Sequence, residues 1–149
     1  MTPTLESRGT FAVLGVPTRI RRGSEAPELF CRVWATFESR RPEIEPAATE
    51  EVFVGASFPA DEPEVTDYLA GMVVAAGAPV PDGLAARTIP GGRYAVFECP
   101  VDAIGATYHH VFAVWLPNAT VQFDATRAAF EEYPENTPES PVRLFIPIR

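Results

Sequence analysis

Residues 11–20 are rich in strand formers, so they predict a β-strand with Pro17 confined to an edge or a bulge. A helix should open near Pro27, since a proline in the first helical turn gives up no hydrogen bond. Leu29, Phe30, Val33, Trp34 and Phe37 then recur at helical spacing and mark one apolar face. The helix is expected to stop at Arg40-Arg41-Pro42, and the acidic, proline-bearing residues 42–51 read as a loop. Strands are expected at 52–58 and 68–74, around a polar turn at 59–64. Residues 75–81, rich in Ala, Gly and Pro, make a linker. After an extended stretch at 84–89, Pro90-Gly91-Gly92 reads as a hairpin turn into a strand at 93–99. Ile104, Tyr108, Val111, Phe112, Trp115 and Leu116 mark a second amphipathic helix ending at Pro117-Asn118. Strands near 127–133 and 142–148 close the chain, joined by a proline-rich turn at 134–141.

The two halves repeat. Residues 11–17, FAVLGVP, align with residues 94–100, YAVFECP, at an offset of 83, and Val33-Trp34 answers Val114-Trp115 at an offset of 81. Each half reads strand–helix–strand–strand, and neither could cover its sheet alone. The expected fold is α+β: duplicated βαββ modules related by a pseudo-twofold axis, an antiparallel sheet with two helices, and a central ligand cleft. The expected organisation is a single domain over 1–149, with module one at about 8–76 and module two at about 84–149.

Composition narrows the function. The net charge is −8, and all twelve basic residues are arginine. A chain without lysine cannot be a P-loop NTPase or a Schiff-base enzyme, and the acidic balance argues against direct nucleic-acid binding. Arg19, Arg21 and Arg22 read as a solvated strand edge. No signal peptide or membrane span is read, so the expectation is a cytoplasmic protein. Cys31 and Cys99 are expected to be reduced, buried thiols. No metal or other cofactor is expected, because His109-His110 point about 100° apart on a helix. No Ser-His-Asp arrangement is readable. The segment 43–67 carries eight acidic side chains and no basic one, and reads as a solvated face.

A cleft on the symmetry axis is the default ligand site of such a unit. Its candidate lining is aromatic: Trp34 and Trp115 at matching helix positions, with Phe37, Tyr68, Phe112, Tyr133 and Phe145, although such rings also serve as plain core. Alternation along Phe130-Glu131-Glu132-Tyr133 puts Glu131 on Tyr133's side of the strand. If that side is the cleft, Glu131 is a carboxylate in an aromatic box, which either holds a proton or awaits a lipophilic cation. If the strand is an edge, both glutamates are solvated.

Residues 89–97, IPGGRYAVF, resemble the "iPaGkYAvF" signature of the gyrase-inhibitor-like (GyrI-like) effector-binding domains. Trp115-Leu116-Pro117 is similar to their "WLP" helix end, Phe130-Glu131-Glu132-Tyr133 to "FExY", and Leu144-Phe145-Ile146-Pro147-Ile148 to their closing strand. The resemblance implies two βαββ modules around a hydrophobic cleft that contains the "FExY" glutamate, here Glu131. In AraC-type and MerR-type regulators such a domain is fused to a DNA-binding module, for which residues 1–10 have no room. The chain therefore resembles the stand-alone members, similar to integron-cassette drug-binding proteins. Some stand-alone members hydrolyse cyclopropane-bearing genotoxins with a Trp and a Glu, which map here to Trp115 and Glu131.

The leading expectation is a binder of lipophilic, cationic small molecules, anchored by Glu131 and walled by Trp34, Phe37, Tyr68, Phe112, Trp115, Tyr133 and Phe145. The alternative is a hydrolase using Glu131 and Trp115. A third reading is a protein partner, as for a gyrase antagonist, docking on the acidic face 43–67. The expected partners are thus a hydrophobic or cationic small molecule and, on the third reading, another protein, with no direct nucleic-acid or membrane contact.

Overall fold

The computed structural model describes residues 2–134 and 141–149, so the expected turn at 134–141 lies, but for its two end residues, outside the described chain. In order come β1 (Thr4–Arg8), β2 (Phe11–Arg21), α1 (Ala26–Ile44), β3 (Ala48–Pro59), β4 (Val65–Val74), β5 (Ala85–Ile89), β6 (Gly92–Cys99), α2 (Ile104–His110), β7 (Ala129–Pro134) and β8 (Val142–Ile148). A π-helical turn, Val111–Trp115, and a last helical turn, Leu116–Asn118, extend α2. The eight strands form one curled antiparallel sheet in the order β1-β6-β8-β7-β3-β4-β2-β5.

That order shows the duplication. Strands β2, β3 and β4 with α1 make one βαββ unit, and β6, β7 and β8 with α2 make the other. They join where β3 pairs with β7. The pattern did not reveal that each unit also lends a strand to its twin. β1 pairs with β6 of the second unit, and β5 pairs with β2 of the first. Pro90-Gly91-Gly92 is therefore a crossing between sheet ends and not a hairpin, because β5 and β6 never pair. The two crossings meet, with the Gly91 amide donating to the Thr10 hydroxyl at 2.9 Å.

Both faces of the sheet are covered. On the inner face Val13, Val54, Phe58, Leu69, Ile89, Tyr94, Val96, Phe130 and Phe145 pack together as the sheet curls on itself. Gly15 and Gly71 stand opposite each other on β2 and β4, and a Cβ on either would overlap the other strand's backbone. This close approach is open only to glycine. On the outer face α1 covers Leu14, Val16, Tyr68, Ala70 and Met72, while α2 and its extension cover Ala95, Phe97, Leu144 and Ile146. With both faces covered, β4 reads as a continuous apolar run instead of an alternation.

Four boundaries differ from expectation by two residues or more, the first being β4, which begins at Val65 and not at residue 68. Helix α1 runs past Pro42 to Ile44, whose full burial against the sheet offsets part of the cost of a proline in the last helical turn. Strand β3 begins at Ala48, with a register irregularity between Ala48 and Phe53 absorbing part of the expected loop. Strand β7 begins at Ala129, because Arg127 serves the preceding turn: its guanidinium donates to Asp124 Oδ2 at 3.0 Å and to the Arg93 and Ile148 carbonyls. Pro17 lies where β2 has outrun β5, whose pairing ends at Gly15, so it occupies an edge. Among the described residues no helix is long and apolar enough to cross a membrane.

Candidate functional site

A cavity of about 520 Å³ opens on the outer face of the sheet between α1 and α2. Strand alternation on β7 sends Phe130 to the inner core and Glu131 toward the helices, where Glu131 is 4% exposed. Helix α1 contributes Phe30 and Trp34, α2 contributes Ile104 and Tyr108, and the sheet contributes Ser57, Tyr68 and Tyr133. Among the described residues Glu131 is the one charged side chain on this wall.

Three phenols hold the carboxylate. Tyr68 and Tyr133 donate to Oε1 at 3.0 and 3.2 Å, and Tyr108 donates to Oε2 at 2.7 Å. Trp34 Nε1 in turn donates to the Tyr68 hydroxyl oxygen at 3.1 Å, leaving that hydroxyl's proton for Glu131. No cationic side chain forms an ion pair with Glu131 among the described residues. Burial pushes its carboxyl above the ordinary glutamate range, and the hydroxyls of Tyr108, Tyr68 and Tyr133 draw it part of the way back. Burial, reinforced by the Glu131 charge, raises all three phenols, so they remain protonated donors. The result is a desolvated carboxyl group whose oxygens accept from three phenols and which no cation pairs among the described residues.

Around it the rings meet edge to face: Phe30 on Tyr68 with centroids 4.8 Å apart, and Trp34 on Tyr133 at 5.1 Å. Gly55 makes the arrangement possible. It stands opposite Glu131 in the β3–β7 register; a Cβ there would overlap the Tyr68 hydroxyl and lie 3.0 Å from Glu131 Oε1.

Of the residues proposed from sequence, Glu131, Trp34, Tyr68 and Tyr133 meet at this cavity, and the other four do not. Phe37 is fully buried beneath Trp34, in contact with Phe53. Phe145 is on the inner face, stacked on Phe130 at 4.4 Å. Phe112 is exposed and packs on Phe123. Trp115 packs on Phe97 at 5.3 Å, in the core under α2, so the Glu131–Trp115 pairing that a hydrolase would use is not formed. The offset of 81 matches the two tryptophans in sequence, yet the α2 side chain that faces the carboxylate is Tyr108, two turns earlier. Tyr108 already stood on the apolar stripe of that helix, and a buried phenol needs a hydrogen-bond partner, a usable signal. Gly55 carried no such signal. Cys31 is exposed at the cavity rim, not buried as expected, while Cys99 is buried. On the acidic face, Asp61, Glu62 and Asp67 are partly neutralised by Arg19 and Arg21. Among the described residues no cluster of His, Cys, Asp and Glu could hold a metal ion.

Solved structures share the fold. The structure of SAV2435 bound to tetraphenylphosphonium aligns over 100% of this chain and 94% of its own, with a TM-score of 0.79 at 13% identity. An integron cassette protein from the mobile metagenome of Vibrio cholerae aligns over 99% and 96%, with a TM-score of 0.68 at 16% identity. The EcmrR C-terminal domain aligns over 99% and 97%, with a TM-score of 0.63 at 11% identity. No curated protein sequence matches the chain. The model of the integron-associated effector binding proteins, Cass2, matches residues 4–148, and the chain belongs to that family of small-molecule effector binders.

Proposed function

We propose that the cavity between α1 and α2 binds lipophilic aromatic monocations, with Glu131 as the counter-charge. The observation that carries this reading is a glutamate 4% exposed, on the wall of an aromatic cavity, held by three tyrosine hydroxyls and by no cation among the described residues. Hydrogen bonds keep the carboxylate in place without cancelling its charge. A ligand cation gains both the charge pairing and the ring faces of Trp34, Tyr68 and Tyr133. The cavity volume of about 520 Å³ is within the usual range for small-molecule sites. Tetraphenylphosphonium, bound in the structure of SAV2435, is a ligand of this chemical kind.

The test is calorimetric titration with tetraphenylphosphonium and with neutral triphenylphosphine oxide. Glu131→Gln should weaken binding of the cation by about 2–5 kcal/mol while leaving the neutral compound unaffected. Equal cation affinity in both proteins would reject Glu131 as the anchor.

A further inference from the structure

A second hollow, of about 370 Å³, adjoins the first. Ser57 and Tyr108 line both, so the Tyr108 side chain borders each space. They differ in charge. Among the described residues Glu131 is the one charged group on the first, whereas the second carries Arg22 and Arg127 and no acid, over an apolar lining of Phe58, Phe112 and Phe123. Arg127 is engaged by Asp124 at 3.0 Å and by the Arg93 and Ile148 carbonyls, and its remaining Nη1 is buried beside Gly92. Arg22 is exposed. Its neighbours Arg19 and Arg21 pair with Asp61, Asp67 and Glu62, while no carboxylate pairs with Arg22 among the described residues. One guanidinium with spare capacity, that of Arg22, therefore lines a hollow beside the cavity that holds Glu131.

We infer that the two hollows together select elongated amphoteric aromatics: the cationic end lies against Glu131, and an acidic end, beyond Tyr108, meets Arg22. The inference rests on the cation-binding reading above and adds a ligand class to it. Opposite charges at the two ends fix the direction of the ligand, and a second positive charge at the far end is repelled by the arginines.

The probes are two styrylpyridiniums titrated by calorimetry, N-methyl-4-styrylpyridinium, a cation, and its 4′-carboxystyryl analogue, a zwitterion whose carboxylate stands at the end far from the pyridinium. Both are titrated into the natural protein, Arg22→Gln and Arg22→Glu at low salt. Arg22→Gln should weaken the carboxystyryl compound roughly threefold and Arg22→Glu about tenfold, the range expected of solvent-exposed charge contacts. The plain cation should bind the natural protein and Arg22→Gln equally. A carboxystyryl compound with one affinity for all three proteins overturns the amphoteric assignment, while binding of the plain cation leaves the cation cavity standing. If neither compound binds the natural protein, both readings fall.

Discussion

Glu131 and Glu132 follow one another along β7, are 4% and 8% exposed, and face opposite sides of one sheet. On the inner face Glu132 Oε2 accepts from Arg8 at 3.1 Å, and Arg143 stands 3.6 Å from Oε1. Those guanidiniums lie over the rings of Phe11, Phe130 and Phe145. Arg8 belongs to the exchanged strand β1, so this cluster ties that strand to the module it completes. On the outer face Glu131 has tyrosines alone. Both carboxylates are desolvated, but one is neutralised by the protein and the other is left for something else. Burial does not distinguish a structural carboxylate from a receptive one; the charge of its neighbours does.

The sharpest way to break this comparison is to remove each charge in turn. Glu132→Gln strands Arg8 and Arg143 without their counter-charge and should cost about 2 kcal/mol of stability, less than a fully buried pair because both arginines are partly solvated, with tetraphenylphosphonium affinity unchanged. Glu131→Gln should do the reverse, sparing stability and removing affinity. Denaturant melts alongside titrations read both, and equal stability losses at the two positions would erase the distinction. Gly55→Ala comes next. Its methyl must displace the Tyr68 hydroxyl from Glu131, an overpacking that should cost about 1–2 kcal/mol in a thermal melt and weaken cation binding with it.

A pH series sharpens the contrast further. Burial raises the Glu131 carboxyl above its ordinary value of 4.5. Below that value both the folded and unfolded chains carry the proton. Between it and the raised midpoint the unfolded chain has lost the proton and the folded chain has not, so this group's contribution to stability falls as pH rises through the window. A permanent cation needs the anion, so its affinity should climb by up to about tenfold per pH unit until the midpoint is passed, and be flat in Glu131→Gln. An affinity independent of pH in the natural protein would mean that Glu131 is not the group the cation meets. The smallest effect is expected of Tyr108→Phe. It removes the donor to Oε2, raises the Glu131 midpoint further, and should weaken cation binding by about 1 kcal/mol at a pH near that midpoint.

Much of this was legible along the chain. Period-two alternation placed Glu131 beside Tyr133, and period-3.6 spacing placed Trp34 and Tyr108 on the apolar stripes of two helices. The repeat gave two βαββ units. Phe37, Trp115 and Phe145, which lie away from the Glu131 cavity, show where pattern reasoning stops. They are as apolar as cavity residues and differ from them in which side chains cover them and, for Phe145, in the face of the sheet it takes. The exchange of β1 and β5 also escaped, because a short alternating strand looks the same whichever partner it pairs with.

Composition and periodicity determined that this chain builds two helices on an antiparallel sheet, and which side chains of a strand share a face, because those follow from local backbone geometry. The tertiary structure alone decided that Glu132 would find arginines and Glu131 only phenols. That assignment depends on groups far apart in sequence, Arg8, Gly55, Tyr68 and Tyr108 among them, being brought to opposite faces of β7 by a sheet that curls on itself.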